Sequence, residues 1–214
     1  ALRWRRALPI QEKVIPLVLE GRDVIGCSRT GTGKTAAYLV PIISRLGTHS
    51  TTVGARALIL VPTRELALQI SVAIKGLVRG TTLTHCVIIG GHDYEGQFEA
   101  LASNPDIVVA TPGRLLELVS QTDFTFKLVE FLVFDEADVL FEKGHRLFVD
   151  ELLERIGKGR QTLLFSATMP ESLVEFSKAG LRDYAFVRID AEYALSPHLR
   201  LDCLLVRGEH KLAL

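Results

Sequence analysis

The sequence predicts an α/β fold, a parallel sheet with helices on both faces, and three observations predict it. Short apolar runs rich in β-branched residues alternate with longer segments of helical period. The runs are apolar almost without interruption, as strands are when both faces of a sheet are covered. A turn of Gly and Thr joins the first run directly to a helix, the unit from which parallel sheets are wound.

The elements follow in order. Residues 24–27 read as the first strand and 34–46 as the helix behind it. Residues 57–61 form a second strand, and Pro62-Thr63 then opens a helix over 64–78. Strand 85–89 leads to helix 94–102, and strand 107–110, closed by Thr111-Pro112, leads to helix 113–120. The run 128–134 reads as a strand ending in acids, 148–156 as a helix, 162–165 as a strand, 171–179 as a helix and 186–189 as the last strand. In such sheets ligands gather beyond the carboxyl ends of the strands, so the loops after strands should carry the chemistry.

Length and charge set the bounds. The chain has 214 residues, 48% of them apolar, enough for one domain with a full core and too few for a second complete one. Lys and Arg number 25, as do Asp and Glu, so the overall field gives no argument for nucleic acid and any such partner must be argued from local groups. Cys27, Cys86 and Cys203 are odd in number and lack CxxC spacing, which predicts reduced thiols in an intracellular protein. No apolar run approaches the ~20 residues that span a bilayer. The chain opens on Ala1 rather than Met, as expected of a piece of something longer.

SRTGTGKT, residues 28–35, lies between the first strand and its helix. Backbone N–H groups of Ser28, Arg29, Thr30, Gly31, Thr32 and Gly33 can cradle phosphate oxygens at a helix N-terminus, and Lys34 adds a full positive charge. Thr35 can offer its hydroxyl to magnesium. The usual pattern wants glycine at Ser28, but smallness is the physical requirement and serine meets it. A bare turn is the alternative, yet GTGKT arises by chance with probability of only about 10⁻⁴ over such a chain.

A phosphate loop needs a carboxylate partner. Asp135 ends an apolar strand, where it can hold Mg²⁺, and Glu136 beside it can orient or deprotonate the attacking water. Acids after a strand can also be mere helix caps, but the pairing with GTGKT favours the catalytic reading.

These residues carry a resemblance. Asp135-Glu136-Ala137-Asp138 is the string that names the DEAD-box RNA helicases, and the chain resembles their N-terminal RecA-like domain over nearly its whole length. In the family's order come Pro9-Ile10-Gln11, SRTGTGKT, Pro62-Thr63-Arg64-Glu65-Leu66-Ala67, Gly90-Gly91, Thr111-Pro112-Gly113-Arg114, the acidic string and Ser166-Ala167-Thr168. The stretches GARALILVPTRELALQ, NPDI, DEADVLFEKG and LRLDCLLVRGE look most like the nucleolar branch that assembles the large ribosomal subunit.

The resemblance implies an ATP-dependent RNA helicase using ATP or ADP with Mg²⁺, single-stranded or duplex RNA as substrate, pre-ribosomal components as partners, and a nucleolar location. Lys34, Asp135, Glu136, Ser166 and Thr168 would be the catalytic set, with Thr35 and Asp135 on the metal. Gln11, whose amide complements adenine's N6/N7 edge, would read the base; a Gln satisfied by backbone is the alternative. Trp4 would stack on adenine, with Arg3, Ala7 and Leu8 standing where the family has Gly, Pro and Thr. Pro62, Thr63, Arg64, Gly90, Gly91, Thr111, Pro112, Gly113 and Arg114 would take RNA phosphates, although each taken singly is better read as a helix cap or surface charge. Phe141, Phe148 and Met169 are expected in the core, and the six histidines show no metal-like clustering.

The first domain is expected over 1–196, with 197–214 a linker and the start of a second RecA-like domain. The family's arginine finger belongs to that second domain, so this part alone is expected to be nearly inactive. A monomer is expected, with any dimer arising from the severed apolar tail. The rival readings are a non-hydrolysing scaffold in a ribonucleoprotein and a DNA-directed motor.

Overall fold

The computed structural model describes residues 6–91, 93–121 and 124–189, so the expectations on Trp4 and on 197–214 lie outside the described residues. The elements are α1 (Pro9–Leu19), β1 (Val24–Cys27), α2 (Lys34–Leu46), β2 (Ala57–Leu60), α3 (Arg64–Leu77), β3 (His85–Ile88), α4 (Tyr94–Ala102) and β4 (Ile107–Ala110). Then come α5 (Pro112–Ser120), β5 (Phe131–Asp135), α6 (Ala137–Leu140), α7 (Lys143–Arg155), β6 (Gln161–Ser166), α8 (Glu171–Gly180) and β7 (Ala185–Arg188).

The strands form one parallel sheet in the order β3-β4-β2-β5-β6-β1-β7. Period-2 alternation divides each central strand between two cores. Leu58, Leu60, Val108, Leu132 and Phe134 enter the core on one face. Ala57, Ile59, Val109, Phe131 and Val133 enter the core on the other. Both faces are covered by helices, which is why the strands are continuously apolar.

Four elements differ from the sequence reading. Pro9–Leu19 is a helix: Pro9 opens it, and Ile10, Val14 and Val18, spaced by four, bury one face against α2. Residues 128–130 precede β5 rather than join it, since Val129 closes a turn by donating to the Phe126 carbonyl at 3.1 Å. Helix α7 begins five residues before Phe148, and a short α6 follows the acidic string. Phe141 is buried as expected, whereas Phe148 is 41% exposed and does not belong to the core.

Candidate active site

Strand order sorts the loops at the carboxyl edge. β5, β6 and β1 are adjacent, so Asp135, Ser166 and the 28–33 turn stand side by side; β2, β4 and β3 bring Arg64, Thr111 and Gly90 together on the other half. The N-terminus of α3 stands between the halves, with Leu66 and Gln69 facing one and Arg64 and Glu65 the other.

On the first half, Thr30, Gly31, Gly33, Lys34, Thr35, Asp135, Glu136 and Asp138 share a cavity of about 560 Å³. Gly33 has φ +89, and a Cβ there would sit 2.5 Å from the Gln11 Nε2. Only glycine makes this turn. Among the described residues the N–H groups of Gly31 and Gly33 have no partner within the protein, so both remain for a ligand. Within the turn, Ser28 Oγ and Thr32 Oγ1 are 2.8 Å apart, and Thr32 Oγ1 donates to the Arg29 carbonyl at 2.9 Å. Serine at the first position therefore adds a bond that glycine could not. The Lys34 ammonium donates to the Ser28 carbonyl and, at 3.0 Å, to the Arg29 carbonyl. Burial lowers its pKa from the ordinary lysine value, opposed first by Asp135.

Gln11 ties α1 to this turn. Its Nε2 donates to the Gly33 carbonyl at 3.1 Å, and its Oε1 accepts from the Leu8 N–H at 3.0 Å. Each end of the amide keeps one further hydrogen-bonding position, because the oxygen has two lone pairs and the nitrogen two hydrogens.

Asp135 is buried, and burial raises its pKa above the usual carboxylate value. Its Oδ1 accepts from the Glu136 N–H at 3.0 Å, and its Oδ2 from the Tyr38 hydroxyl at 2.8 Å. Tyr38 is fully buried, so its phenol holds from inside the core the carboxylate read as a metal ligand, with the Thr35 side chain close enough to affect its ionisation. Sequence reasoning missed Tyr38 because at that helical position an aromatic reads as core. Glu136 adopts φ 52 and ψ 50, left-handed backbone that is rare for a residue with a side chain and costs ~1–3 kcal/mol. That turn carries Glu136 from the end of β5 into the lining of the cavity.

Ser166 and Thr168 bond to the acidic string. Ser166 Oγ accepts from the Asp138 N–H at 3.3 Å and donates to the Thr168 carbonyl at 2.6 Å. Asp138 Oδ2 accepts from the Thr168 N–H at 3.1 Å and hydroxyl at 2.8 Å. Asp138 is thus the hub between β5 and β6.

On the second half, a cleft of about 500 Å³ holds Pro62, Thr63, Arg64 and Gly90 with Thr111, Pro112, Gly113 and Arg114. Gly91 lies beside it with φ +75, and the Arg64 guanidinium lies where a Cβ would be. Thr63 caps α3 through the Leu66 N–H at 3.3 Å, as its cap reading requires. Arg114 pairs with Glu117 at 3.2 Å and lies over the Tyr94 ring. His145 and the exposed Phe148 complete the wall; the sequence reading had neither in the site, and it put Phe148 in the core. A further cavity, about 750 Å³, lies at the other edge of the sheet, away from all these motifs.

Among the described residues no cluster of three His, Cys, Asp or Glu side chains could hold a metal, and no helix is long and apolar enough to cross a membrane. His49 pairs with Asp106, and His85 with Ser71. Cys27 and Cys86 are buried thiols outside any disulfide, and Cys27 donates to the Ala167 carbonyl at 3.6 Å.

A profile described as DEAD/DEAH box helicase matches residues 8–176. The chain is 51% identical over 203 residues to the ATP-dependent RNA helicase DBP10 of Chaetomium globosum, covering 95% of this chain and 27% of that protein. It is 48% identical to the ATP-dependent RNA helicase ddx54 of Dictyostelium discoideum, covering 95% of this chain and 19% of that one. The crystal structure of a hypothetical ATP-dependent RNA helicase from Sulfolobus tokodaii superposes with a TM-score of 0.79 at 35% identity, over 88% of this chain and 54% of that one. The chain therefore spans about a quarter or less of the curated relatives' length.

Proposed function

Because the chain belongs to the DEAD/DEAH box helicase family, we propose that it is the ATP-binding half of an ATP-dependent RNA helicase that remodels RNA during ribosome assembly in the nucleolus. The observation that carries this reading is the convergence of the glycine turn, Lys34, Asp135 and Glu136 on one cavity at the carboxyl edge of the sheet.

The Gly31 and Gly33 N–H groups and the N-terminus of α2 would take the phosphate oxygens, with the Lys34 ammonium exchanging its carbonyl partners for phosphate. Gln11 would use its remaining amide positions on adenine. Thr35 and Asp135 fit a magnesium ion: they are an all-oxygen pair lining one cavity, and Asp135 is a buried carboxylate held by the Tyr38 hydroxyl. Bound there, the ion would neutralise charge on the phosphates. Glu136 would accept the proton of the attacking water, and the Ser166, Thr168 and Asp138 bonds would carry its position to the neighbouring strand. Arg64, Gly90, Thr111 and Arg114 would hold the phosphates of an RNA strand in the second cleft. The chemistry would be completed by an arginine finger from a second domain, so that this chain alone turns over ATP near background.

The test uses the longer protein. Glu136→Gln should keep ATP bound while RNA-stimulated hydrolysis falls at least about a hundredfold, in line with the usual contribution of a general base. Hydrolysis unaffected by the substitution, or stimulated by DNA and not by RNA, would contradict the reading.

A further inference from the structure

The cavity of about 750 Å³ opens at the amino-terminal edge of the sheet, opposite both clefts already described. Its walls are the segments that enter strands: residue 21 before β1, 50–56 before β2, 127–130 before β5, 157–160 before β6 and 182 before β7. Five basic side chains line it, Arg45, Arg56, Lys127, Arg160 and Arg182, against one acid, Glu130. In a chain of zero net charge this is a local concentration of positive potential.

The charges are largely unneutralised. Among the described residues only Arg56 of the five has a carboxylate in ion-pair distance, Asp106 at 2.7 Å. The other arginines are held by main-chain carbonyls, which fix guanidinium planes without cancelling charge. Arg45 donates to Leu19 at 3.0 Å, Arg160 to Gly157 at 2.8 Å, and Arg182 to Arg160 at 2.7 Å. Arg160 is only 8% exposed, and its Nε has no partner among the described residues. Burial lowers its pKa, opposed by the nearby Asp23. A buried cation with no carboxylate in direct contact is only partly compensated by the more distant Asp23, and an incoming anion relieves the remaining cost.

We propose that this cleft is a second RNA contact, which takes the phosphates of a single strand on the edge of the sheet opposite Arg64 and Arg114. The lining favours phosphate over a protein partner. Val129 and Phe131 are 6% and 1% exposed, so they offer no apolar anchor of the kind protein interfaces centre on. Ser50 and Thr52 supply hydroxyls, and Gly157 and Gly159 leave the backbone open, as phosphate contacts require. Arginine forks match phosphate oxygens in pairs. The inference rests on the RNA-helicase reading for the identity of its ligand.

The test measures binding of a labelled oligouridylate to this chain by fluorescence anisotropy across a salt series. The variants are Arg64→Gln and the triple Arg45→Gln, Lys127→Gln, Arg182→Gln, whose three positions are exposed and outside the nucleotide site. The triple variant should bind RNA about tenfold more weakly and keep its ADP affinity. Its salt slope should fall by about 2, at roughly 0.7 per phosphate contact on a single strand. Unchanged affinity and slope in the triple variant, with binding lost in Arg64→Gln, would overturn this inference and leave the helicase reading standing. No RNA binding by the parent chain would overturn both. A labelled polyglutamate whose binding is lost in the triple variant, while RNA binding is not, would give the cleft to an acidic protein and overturn the proposal. If the triple variant loses ADP binding by misfolding, Arg45→Gln and Lys127→Gln made singly decide the matter, each expected to weaken RNA binding two- to threefold and to lower the slope by about 0.7.

Discussion

Replacing Tyr38 by Phe removes one atom from the middle of the nucleotide site. The hydroxyl is fully buried and donates to Asp135 Oδ2 at 2.8 Å. Among the described residues no other hydrogen bond reaches Oδ2, while Oδ1 keeps the Glu136 N–H at 3.0 Å. The Lys34 ammonium donates to the Ser28 and Arg29 carbonyls rather than to Asp135. The variant thus leaves half of a buried carboxylate unsatisfied, and a hydrogen bond to a charged group contributes about 1.5–3 kcal/mol. At roughly 2–4 °C per kcal/mol for a domain of this size, Tm should fall by about 3–12 °C. Calorimetry of ADP binding with Mg²⁺ and with a chelator gives a second readout. The advantage that Mg²⁺ confers should shrink severalfold, because the carboxylate is no longer held beside Thr35, while affinity in chelator stays the same. A variant as stable as its parent, with the same response to Mg²⁺, would refute the reasoning.

Asp106 is 2% exposed and accepts from Arg56, His49 and the backbone N–H groups of Ser50 and Thr84. Asp106→Ala should cost about 3–5 kcal/mol in urea unfolding, as when one partner of a buried pair is removed. These bonds hold its pKa below 3.8 against the opposing effect of burial. Its stabilisation is therefore full above the unfolded-state value and is lost as pH falls through the lower folded value, so parent and variant should converge only in acid. Burial pushes the Cys86 thiol up to about 12, so iodoacetamide at pH 8 should leave it unmodified until the protein unfolds; rapid native alkylation would show the site to be open.

The strands were legible because burial on both faces makes them continuously apolar, and residues 24–27 and 107–110 needed no adjustment. Helix α1 was hidden because its first residues carry a motif and Pro16 interrupts its pattern, although Ile10, Val14 and Val18 show the period. Leu128 and Val129 extended the reading of β5 because apolar residues in a packed turn look like strand. In the site, the glycine turn and acidic string stand out because their residue types are chemically demanding. Tyr38 and Asp138 act through bonds to other side chains, and such bonds have no signature in a single sequence. The basic cleft was equally invisible, since its residues come from six separate segments of a chain with no net charge.

The central claim is that residues 28–35 form a phosphate site for an adenine nucleotide, and calorimetry of ADP and GDP with Mg²⁺ on the parent chain and Lys34→Ala tests it most directly. The account predicts that the parent prefers ADP to GDP, through the free positions of the Gln11 amide. It predicts that Lys34→Ala weakens ADP binding about 10- to 100-fold, from losing one charge-assisted contact of about 1.5–3 kcal/mol. An ADP dissociation constant unchanged by Lys34→Ala would make the stretch an ordinary turn before a helix and contradict the account.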